Sequence, residues 1–293
     1  AKSKAQQTLS VIDLNLQPDP KVIQTLYFPS PQSANVGLAF DRNLKPYGKY
    51  HLYLSGGFEN KIWILGFDPA STSPLAPANK PDTAFDAPFI DVTAFAGNAP
   101  SPNYNGDVAA VYPTGIDLSP DGQSIYAANN LGDTLGIVSE LRDTRKIRRI
   151  DLHRKGSSQM LYPYDVKLRT MGKAVLKTYV SLWGDGSIAV VKANAPVSHI
   201  IVGRHPTAML MNNAQTRLFV VNSNSDTVSV IDTLSDRVIE TINIRLAETE
   251  LLGASPEGLA LSDDEQTLYV GNAHANAVGV VKLAARPSNT KAS

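Results

Sequence analysis

Apolar and polar positions alternate over short stretches of this chain, and the stretches recur in a fixed order. One recurring segment has an aromatic residue, a polar break and a second apolar run, as in SIYAANNLGDTLGIV from Ser124 and RLFVVNSNSDTVSVID from Arg217. Alternation with a period of two is typical of β-strands, so each segment predicts a strand pair whose aromatic residue packs between sheets. The aromatic residues at this register are Tyr53, Tyr126, Tyr179, Phe219 and Tyr269.

A second recurring segment precedes most of these strand pairs. It reads YPTGIDLSPDGQ from Tyr112, YPYDVKLR from Tyr162, HPTAMLMNNAQ from His205 and SPEGLALSDDEQ from Ser255. It predicts one strand and a tight turn. With a further strand such as 237–242 after the pair, the unit has four antiparallel strands and recurs about every 40 to 50 residues, which is typical of a β-propeller blade. A β-sandwich is disfavoured, because it does not repeat such an order.

The sequence therefore predicts an all-β fold, a single β-propeller domain over residues 1–293 made of four-stranded antiparallel blades. About five to six blades are represented, and the chain starts and stops in mid-blade, which favours a part of a longer polypeptide. Residues 88–94 are interpreted as an outer strand. The predicted partial blade is 8–32, the successive blades are 33–96, 108–155, 158–202, 203–246 and 254–283, and the insertion loops are 68–82 and 97–107.

The run LFVVNSNSDTVSVIDTLSDRVIETINI from Leu218 resembles the Tyr-Val-Thr-Asn (YVTN) type of propeller repeat, and so does LYVGNAHANAVGVV from Leu268. Propellers of this type resemble surface-layer and lactonase-like proteins and usually close with about seven blades. LYLSGGFENKIWIL from Leu52 is similar to the propeller part of bacterial proteins that also carry an alkaline-phosphatase-like domain. The resemblance implies a periplasmic or extracellular protein.

The amino-acid composition restricts the classes of partner that we expect for this chain. Lys plus Arg and Asp plus Glu both total 27, so no basic surplus indicates nucleic-acid binding. The absence of Cys excludes disulfides and thiolate chemistry, and no apolar run approaches the roughly 20 residues of a membrane span. We expect no cofactor and no metal. The expected partner is a protein, a polar small molecule or glycan, or an additional domain of the same polypeptide.

Blade geometry places the candidate binding residues on one face. The connection into the innermost strand and the loop between the second and third strands lie on the same side of every blade, called here the upper face. Trp183 offers a surface for stacking, with packing against a neighbouring blade as the alternative. The three Asn residues share one register, so hydrogen bonds within their own turns are the alternative for them. The predicted binding residues are Trp183, Asp185, Tyr162, Tyr164, Tyr104, Asn129, Asn222 and Asn272.

The candidates for catalysis are Arg204, His205, Glu257 and Glu59. Arg204 has the chemistry to hold a carboxylate or phosphate, and His205 that of an acid or base, with plain loop packing as the alternative. No HExxH, phosphate-binding Gly-Lys-Ser/Thr or GxSxG motif is present. We therefore expect a non-catalytic propeller scaffold that binds a partner. The alternatives are a lactonase-like hydrolase with a site on the upper face and a propeller that accompanies a phosphoesterase domain.

Overall fold

The structure, a computed structural model, describes residues 6–45, 49–93, 111–141, 145–245 and 253–283. Nearly all regular elements in these ranges are β-strands, and they form six antiparallel sheets. The predicted all-β class with four-stranded antiparallel sheets is confirmed. The chain divides into two compact units, residues 1–150 and residues 151–293. In the described ranges, no helix has the length and apolar character that crossing a bilayer requires.

The first unit contains three sheets and a short 3-10 helix, Gly57–Glu59. β1 pairs with β2, β3 to β7 form the second sheet, and β8 to β11 form the third. The strands are β1 (Gln6–Asp13), β2 (Lys21–Pro29), β3 (Leu38–Lys45), β4 (Lys49–Ser55), β5 (Lys61–Phe67), β6 (Leu75–Ala76), β7 (Phe89–Asp91), β8 (Pro113–Leu118), β9 (Ile125–Asn129), β10 (Thr134–Ser139) and β11 (Lys146–Asp151).

Strand β4 shows how alternation builds the core of the first unit. Successive side chains of a strand point to opposite faces of its sheet. Leu52 and Leu54 pack with Phe28 of the first sheet, while Tyr53 lies in a cluster with Ile116 of the third sheet. Both faces of β4 are therefore apolar and buried against neighbouring sheets, as blade-on-blade packing requires.

The predicted insertion 68–82 is partly structured. Its residues Leu75 and Ala76 form β6, which pairs with β5. Gln24 of the first sheet donates to the Leu75 carbonyl and accepts from the Leu75 amide, both at 2.7 Å, so the segment ties two sheets together. Strand Phe89–Asp91 lies within the stretch 88–94 interpreted as an outer strand. The other predicted insertion, 97–107, lies outside the described residues.

The second unit contains sheets of four, four and three strands in the described ranges. Each sheet is a meander in which sequential strands are neighbours. The strands are β12 (Pro163–Met171), β13 (Ala174–Leu182), β14 (Ser187–Val191), β15 (Ser198–Ile201), β16 (Pro206–Met211), β17 (Arg217–Asn222), β18 (Thr227–Asp232), β19 (Arg237–Asn243), β20 (Pro256–Leu261), β21 (Thr267–Asn272) and β22 (Ala277–Lys282).

The predicted aromatic register is buried in the middle of this unit and exposed at its last sheet. Phe219 is 2% exposed and packs against Leu268 and Val270 of the next sheet. Tyr269, at the same register of that next sheet, is 39% exposed, and its cross-strand neighbour Val280 is 58% exposed. The prediction that every anchor aromatic is core is therefore wrong for Tyr269, because no sheet in the described ranges covers its face.

Side chains of the loops between second and third strands join each sheet to the next. Asp226 is 1% exposed and accepts from the backbone amides of Gly253 at 2.8 Å and Ser255 at 3.0 Å. In the first unit, Asn60 at the same register accepts from the amides of Val111 and Tyr112. Both residues have positive φ, 49° and 54°, which turns the chain and aims the side chain at the neighbouring connection.

A buried charged cluster holds the first two sheets of the second unit together at their outer turns. Asp236 accepts from Lys177 at 2.9 Å, Lys192 at 2.8 Å and the Tyr179 hydroxyl at 2.7 Å. Burial alone would raise the pKa of the Asp236 carboxyl, but hydrogen bonds from Lys192, Lys177 and Tyr179 outweigh it, so this pKa lies below its ordinary value. Burial and the hydrogen bond to Asp236 raise the pKa of Tyr179, which therefore stays protonated.

Candidate functional site

The connections into the innermost strands share an unusual backbone position. The residue before the proline that opens the strand has φ between 45° and 54° in four sheets, a left-handed conformation that is uncommon for residues other than Gly, Asn and Asp. Its recurrence means that the fold requires the turn at this point. The four residues are Tyr112, Tyr162, His205 and Ser255.

In the second unit two of these positions meet a tryptophan. Trp183 stacks on His205 with ring centroids 3.7 Å apart and an interplanar angle of 14°. Tyr162 approaches Trp183 edge to face, at 5.9 Å and 86°. Trp183 is 37% exposed, while the other two rings are half-buried. These three residues, called here the aromatic cluster, form a partly exposed, partly apolar patch on the upper face of the second unit.

The imidazole of His205 is held by packing rather than by hydrogen bonds. Its Nδ1 is buried and has no hydrogen-bond partner among the described residues. A buried polar atom without a partner typically costs about 1–3 kcal/mol. The backbone carbonyl of His205 accepts from the Ser223 amide at 3.1 Å, which fixes the main chain. The ring is therefore positioned against Trp183 by its backbone and by packing.

Arg204 lies beside the aromatic cluster on a fixed backbone. Its amide donates to Ser225 Oγ at 2.8 Å, and its carbonyl accepts from the Asn224 amide at 3.3 Å. The preceding amide, that of Gly203, donates to Asn222 Oδ1 at 3.1 Å, and a Cβ at Gly203 would come within 2.7 Å of Asn222. The Arg204 side chain is exposed and has no ion-pair or hydrogen-bond partner in the ranges that the structure describes.

Asp185 is already engaged within the protein. Its carboxylate accepts from Arg154 Nη2 at 2.7 Å and from the Ser187 hydroxyl, and its side chain is 12% exposed. Gln159 donates to the Gly184 carbonyl at 3.0 Å, so the connection before β12 lies across the loop that holds Trp183. Asp185 therefore orders this loop and leaves little carboxylate surface for a ligand.

Tyr164 and Glu257 occupy the second positions of β12 and β20. Burial raises the pKa of Tyr164, and the negative charges of Glu257 and Asp165 raise it further. Tyr164 therefore keeps its hydroxyl proton, and the side chain of Glu257 is exposed. Asp165 itself is occupied by the amides of Val166 and Met209 at 2.8 and 2.9 Å.

The three asparagines predicted as ligand-binding residues are buried. Asn129 and Asn222 are 0% exposed and Asn272 is 2% exposed. The first two donate to Thr134 Oγ1 and Thr227 Oγ1, both at 3.0 Å, at the start of the following strand. The hydrogen bonds of Asn129 and Asn222 therefore hold their loops, which agrees with the alternative interpretation given for them from sequence. These two bonds go to side-chain hydroxyls and not to the backbone of the turn.

Glu59 belongs to the first unit and has two partners there. It accepts from the Ser33 amide and from Lys61, both at 3.0 Å, and its side chain is 16% exposed. Lys61 also lies 4.5 Å from the Phe89 ring centroid. Glu59 is therefore a loop-ordering residue by its contacts. Tyr104 lies outside the described residues.

The structure thus brings Tyr162, Trp183 and His205 together, with Arg204 next to them in the chain. The sequence pattern did not reveal the Arg154–Asp185 pair or the left-handed position before the inner-strand proline. The sequence feature that could have indicated the left-handed position is the proline that recurs at the start of the inner strands. Within the described ranges, no group of three His, Cys, Asp or Glu side chains is placed to hold a metal ion.

No protein-family model matches the sequence, and no curated protein matches it either. The fold is similar to several solved structures. A putative 6-phosphogluconolactonase from Bacteroides uniformis has a TM-score of 0.62 at 13% identity, over 96% of this chain and 75% of that one. A periplasmic gluconolactonase from Pseudomonas aeruginosa has a TM-score of 0.60 at 15% identity, over 94% of this chain and 73% of that one.

Virginiamycin B lyase from Staphylococcus aureus is similar as well, with a TM-score of 0.55 at 11% identity over 96% of this chain and 72% of that one. These similarities confirm that the chain has a β-propeller fold. At such identities they establish the fold alone, because propellers of one architecture carry unrelated functions.

Proposed function

We propose that this chain is a ligand-binding β-propeller whose site for a polar small molecule is the aromatic cluster on the upper face of the second unit. The observation that carries the proposal is the Trp183–His205 stack, with Trp183 37% exposed. Phe219, which lies between two covered sheets, is 2% exposed, whereas Trp183 lies in a loop on the upper face. An indole kept at the surface against an imidazole with an unpaired nitrogen is instead typical of a ligand platform.

The contacts that the other polar side chains of these loops make within the protein support the same site. Asp185 and Asp226 are occupied by contacts within the protein, and so is the buried Asn222. Binding energy is therefore expected from the groups that remain available. These are the exposed faces of the aromatic cluster, the Arg204 guanidinium, the Tyr164 hydroxyl and the Glu257 carboxylate.

A hydrolase or lyase is the second candidate function at the same residues. His205 has the chemistry of a general base, and Arg204 that of a group that stabilises a developing oxyanion. The half-buried imidazole of His205, in contact with the exposed Trp183, favours this candidate, since a general base must reach the bound substrate. The similar structures include a lyase and gluconolactonases, but their likeness reaches only the fold.

Intrinsic fluorescence tests the binding proposal directly, because the chain has two Trp residues and only Trp183 is exposed, Trp63 being 2% exposed. A ligand on the aromatic cluster is expected to quench or shift the Trp183 emission during titration with sugars, lactones and phosphate esters. Trp183→Phe should remove the signal, and calorimetry should show at least about tenfold weaker binding, which corresponds to about 1.4 kcal/mol. Calorimetric binding that survives both Trp183→Phe and His205→Ala would place the site elsewhere.

Lactone hydrolysis followed by proton release decides between binding and catalysis. An enzyme should lose roughly a hundredfold or more of its rate in His205→Gln, while His274→Gln, the matched exposed control, keeps the rate. Binding without turnover in the wild type would support the scaffold.

Further parts of the proposal rest on the YVTN-type sequence resemblance. They are a periplasmic or extracellular location and an additional domain in the same polypeptide, of the phosphoesterase kind that the resemblance implies. Fractionation of the native host, with an antibody against the propeller, tests both. The protein should appear in the periplasm or medium, at a mass above that of this chain.

A further inference from the structure

We infer that a groove between β1 and β3 of the first unit binds an extended, uncharged peptide segment of another protein, which adds to the free edge of β1 as a further strand. The groove belongs to the first unit, so it is independent of the site proposed at the aromatic cluster of the second. Three observations carry the inference: the unpaired edge of β1, an uncovered apolar face of β3, and an uncharged groove between them.

The free edge of β1 is the first observation. β1 pairs with β2 along its eight residues, and in the described ranges no strand lies on its other side. In the four-stranded sheets of the second unit the third strand has a neighbour on each side, as β18 lies between β17 and β19. An edge strand presents a row of unpaired amide and carbonyl groups, with which another extended backbone can pair.

The face of β3 that points towards the first sheet is the second observation. Leu38 and Phe40 lie opposite Leu54 and Leu52 of β4, which pack against the first sheet, so all four side chains share one face. Val36, two residues before Leu38, continues the row. Val36, Leu38 and Phe40 are 57%, 50% and 39% exposed, whereas Leu52 and Leu54 are 7% and 3% exposed. An apolar row on the inner strand is thus left uncovered.

The same register in other sheets shows what this face lacks. The counterparts of Leu38 are Ile116 of β8 and Met209 of β16, which are 4% and 3% exposed. Met209 packs in one cluster with Tyr179, the aromatic residue on the second strand of the preceding sheet. Leu38 has no such cover in the described ranges, because β1 and β2 pack over β4 and β5. A strand added beside β1 would place its own aromatic residue over Leu38.

The groove between β1 and β3 is the third observation. It has a volume of about 480 Å³, a size typical of ligand-binding clefts. Gln7 accepts from the Ala34 amide at 2.7 Å, which holds β1 beside the connection that leads into β3. Among the described residues, no side chain that lines the groove carries a charge. A charged segment would lose its hydration there without gaining a counter-charge, so the segment that fits is uncharged, with apolar or aromatic side chains at alternate positions.

The experiment is a titration of the protein with a fluorescein-labelled peptide, capped at both ends, of sequence QTLYVGNA, which is that of residues 266–273. This probe is uncharged, contains the second strand β21 and carries Tyr269 near its centre. Fluorescence anisotropy should show saturable binding, at least about tenfold tighter than that of a scrambled peptide of the same composition. Hydrogen exchange at the outward-facing amides of β1 should slow in the complex, because the added strand pairs with them.

Variants of the protein test where the peptide lies. Leu38→Glu should weaken binding at least about tenfold, because the added strand would bury the new charge. Val36→Glu, which precedes β3 and is therefore outside its hydrogen-bonded ladder, should have the same effect. Val278→Glu is the matched control and should leave the affinity unchanged. Val278 is 62% exposed on β22, whose outer edge is also unpaired in the described ranges.

Several results would overturn the inference. Absence of binding to wild type, or binding that survives both Leu38→Glu and Val36→Glu, would show that the groove does not take a strand. Loss of binding in Val278→Glu alone would place the peptide on β22. Slow exchange of the outward-facing β1 amides in the free monomer would mean that the protein's own residues cover this edge. A wild-type dimer in light scattering that Leu38→Glu makes monomeric would assign the groove to a second copy of the chain.

Discussion

Replacing Asp236 by Asn should destabilise the second unit substantially, because it removes the negative charge to which Lys177, Lys192 and Tyr179 donate. Asparagine keeps the shape and one acceptor, so the change tests charge rather than volume. The side chains of Asp236 and Lys177 are both 12% exposed. Lys177 would therefore keep its charge in a largely buried place without a counter-charge.

The expected loss of unfolding free energy depends on how far Lys177 and Lys192 can find other contacts in the variant. Removing one partner of a buried ion pair typically costs 3–5 kcal/mol. Lys192 is 40% exposed and can turn to water, and Lys177 keeps a 2.6 Å hydrogen bond to the Thr233 carbonyl. We therefore expect about 2–4 kcal/mol for Asp236→Asn. Tyr179→Phe, which removes one donor from the same cluster, should cost about 1 kcal/mol.

Urea unfolding followed by circular dichroism, repeated between pH 7 and pH 3, is the assay. The folded pKa of Asp236 is lowered, so its stabilisation is present above the unfolded value of about 3.9 and is lost as pH falls through the folded value. The difference between wild type and Asp236→Asn should be largest near pH 7 and shrink below about pH 4. Asp263→Asn, in an exposed turn, is the control and should leave the midpoint nearly unchanged. A difference that stays constant from pH 7 to pH 3 would refute the charge argument.

Three further outcomes follow from burial and hydrogen bonding. Phe219→Ala should cost about 3–5 kcal/mol in urea unfolding, whereas Tyr269→Ala, at the same register but 39% exposed, should cost roughly 1 kcal/mol; equal losses would mean that the Tyr269 face is covered in solution. Asp226→Ala should cost about 2–4 kcal/mol, because two backbone amides of the next connection lose their acceptor; amide hydrogen exchange should rise there first. Burial lowers the pKa of His199, although its hydrogen bond to the Leu152 carbonyl opposes this shift. The free energy of unfolding should therefore fall as pH drops below about 6.5, and this loss should be smaller in His199→Gln.

The strand order was predictable from sequence because each strand in a blade is short and locally patterned. The β17 run Leu218, Phe219, Val220 alternates between two covered faces, and its period of two is visible without any structure. Tyr269 has the same pattern but a different environment. Its exposure depends on whether another sheet lies against it, and a residue's own sequence segment contains no information on that.

The candidate site was only partly predictable, for the same reason. Trp183 was a candidate because its indole can stack on a ligand, and His205 because its imidazole can act as an acid or base. Their contact depends on the left-handed backbone of His205. The sequence does not indicate this conformation at a residue other than glycine. A recurring polar residue in a loop, such as Asn129, is as typical of a buried hydrogen bond within the loop as of a ligand contact, and sequence does not separate the two; in the structure Asn129 is 0% exposed and donates to Thr134.

The left-handed residue before the inner-strand proline has a consequence for how such a protein can change its ligand. The backbone at this position is imposed by the turn, while the side chains there range from phenol to imidazole to hydroxymethyl in Tyr162, His205 and Ser255. The frame thus tolerates chemical diversity at one site per blade without altering loop length or strand register. Natural variation and laboratory libraries alike can change the side chain at that single codon in each repeat, provided that they avoid the β-branched residues that disfavour positive φ.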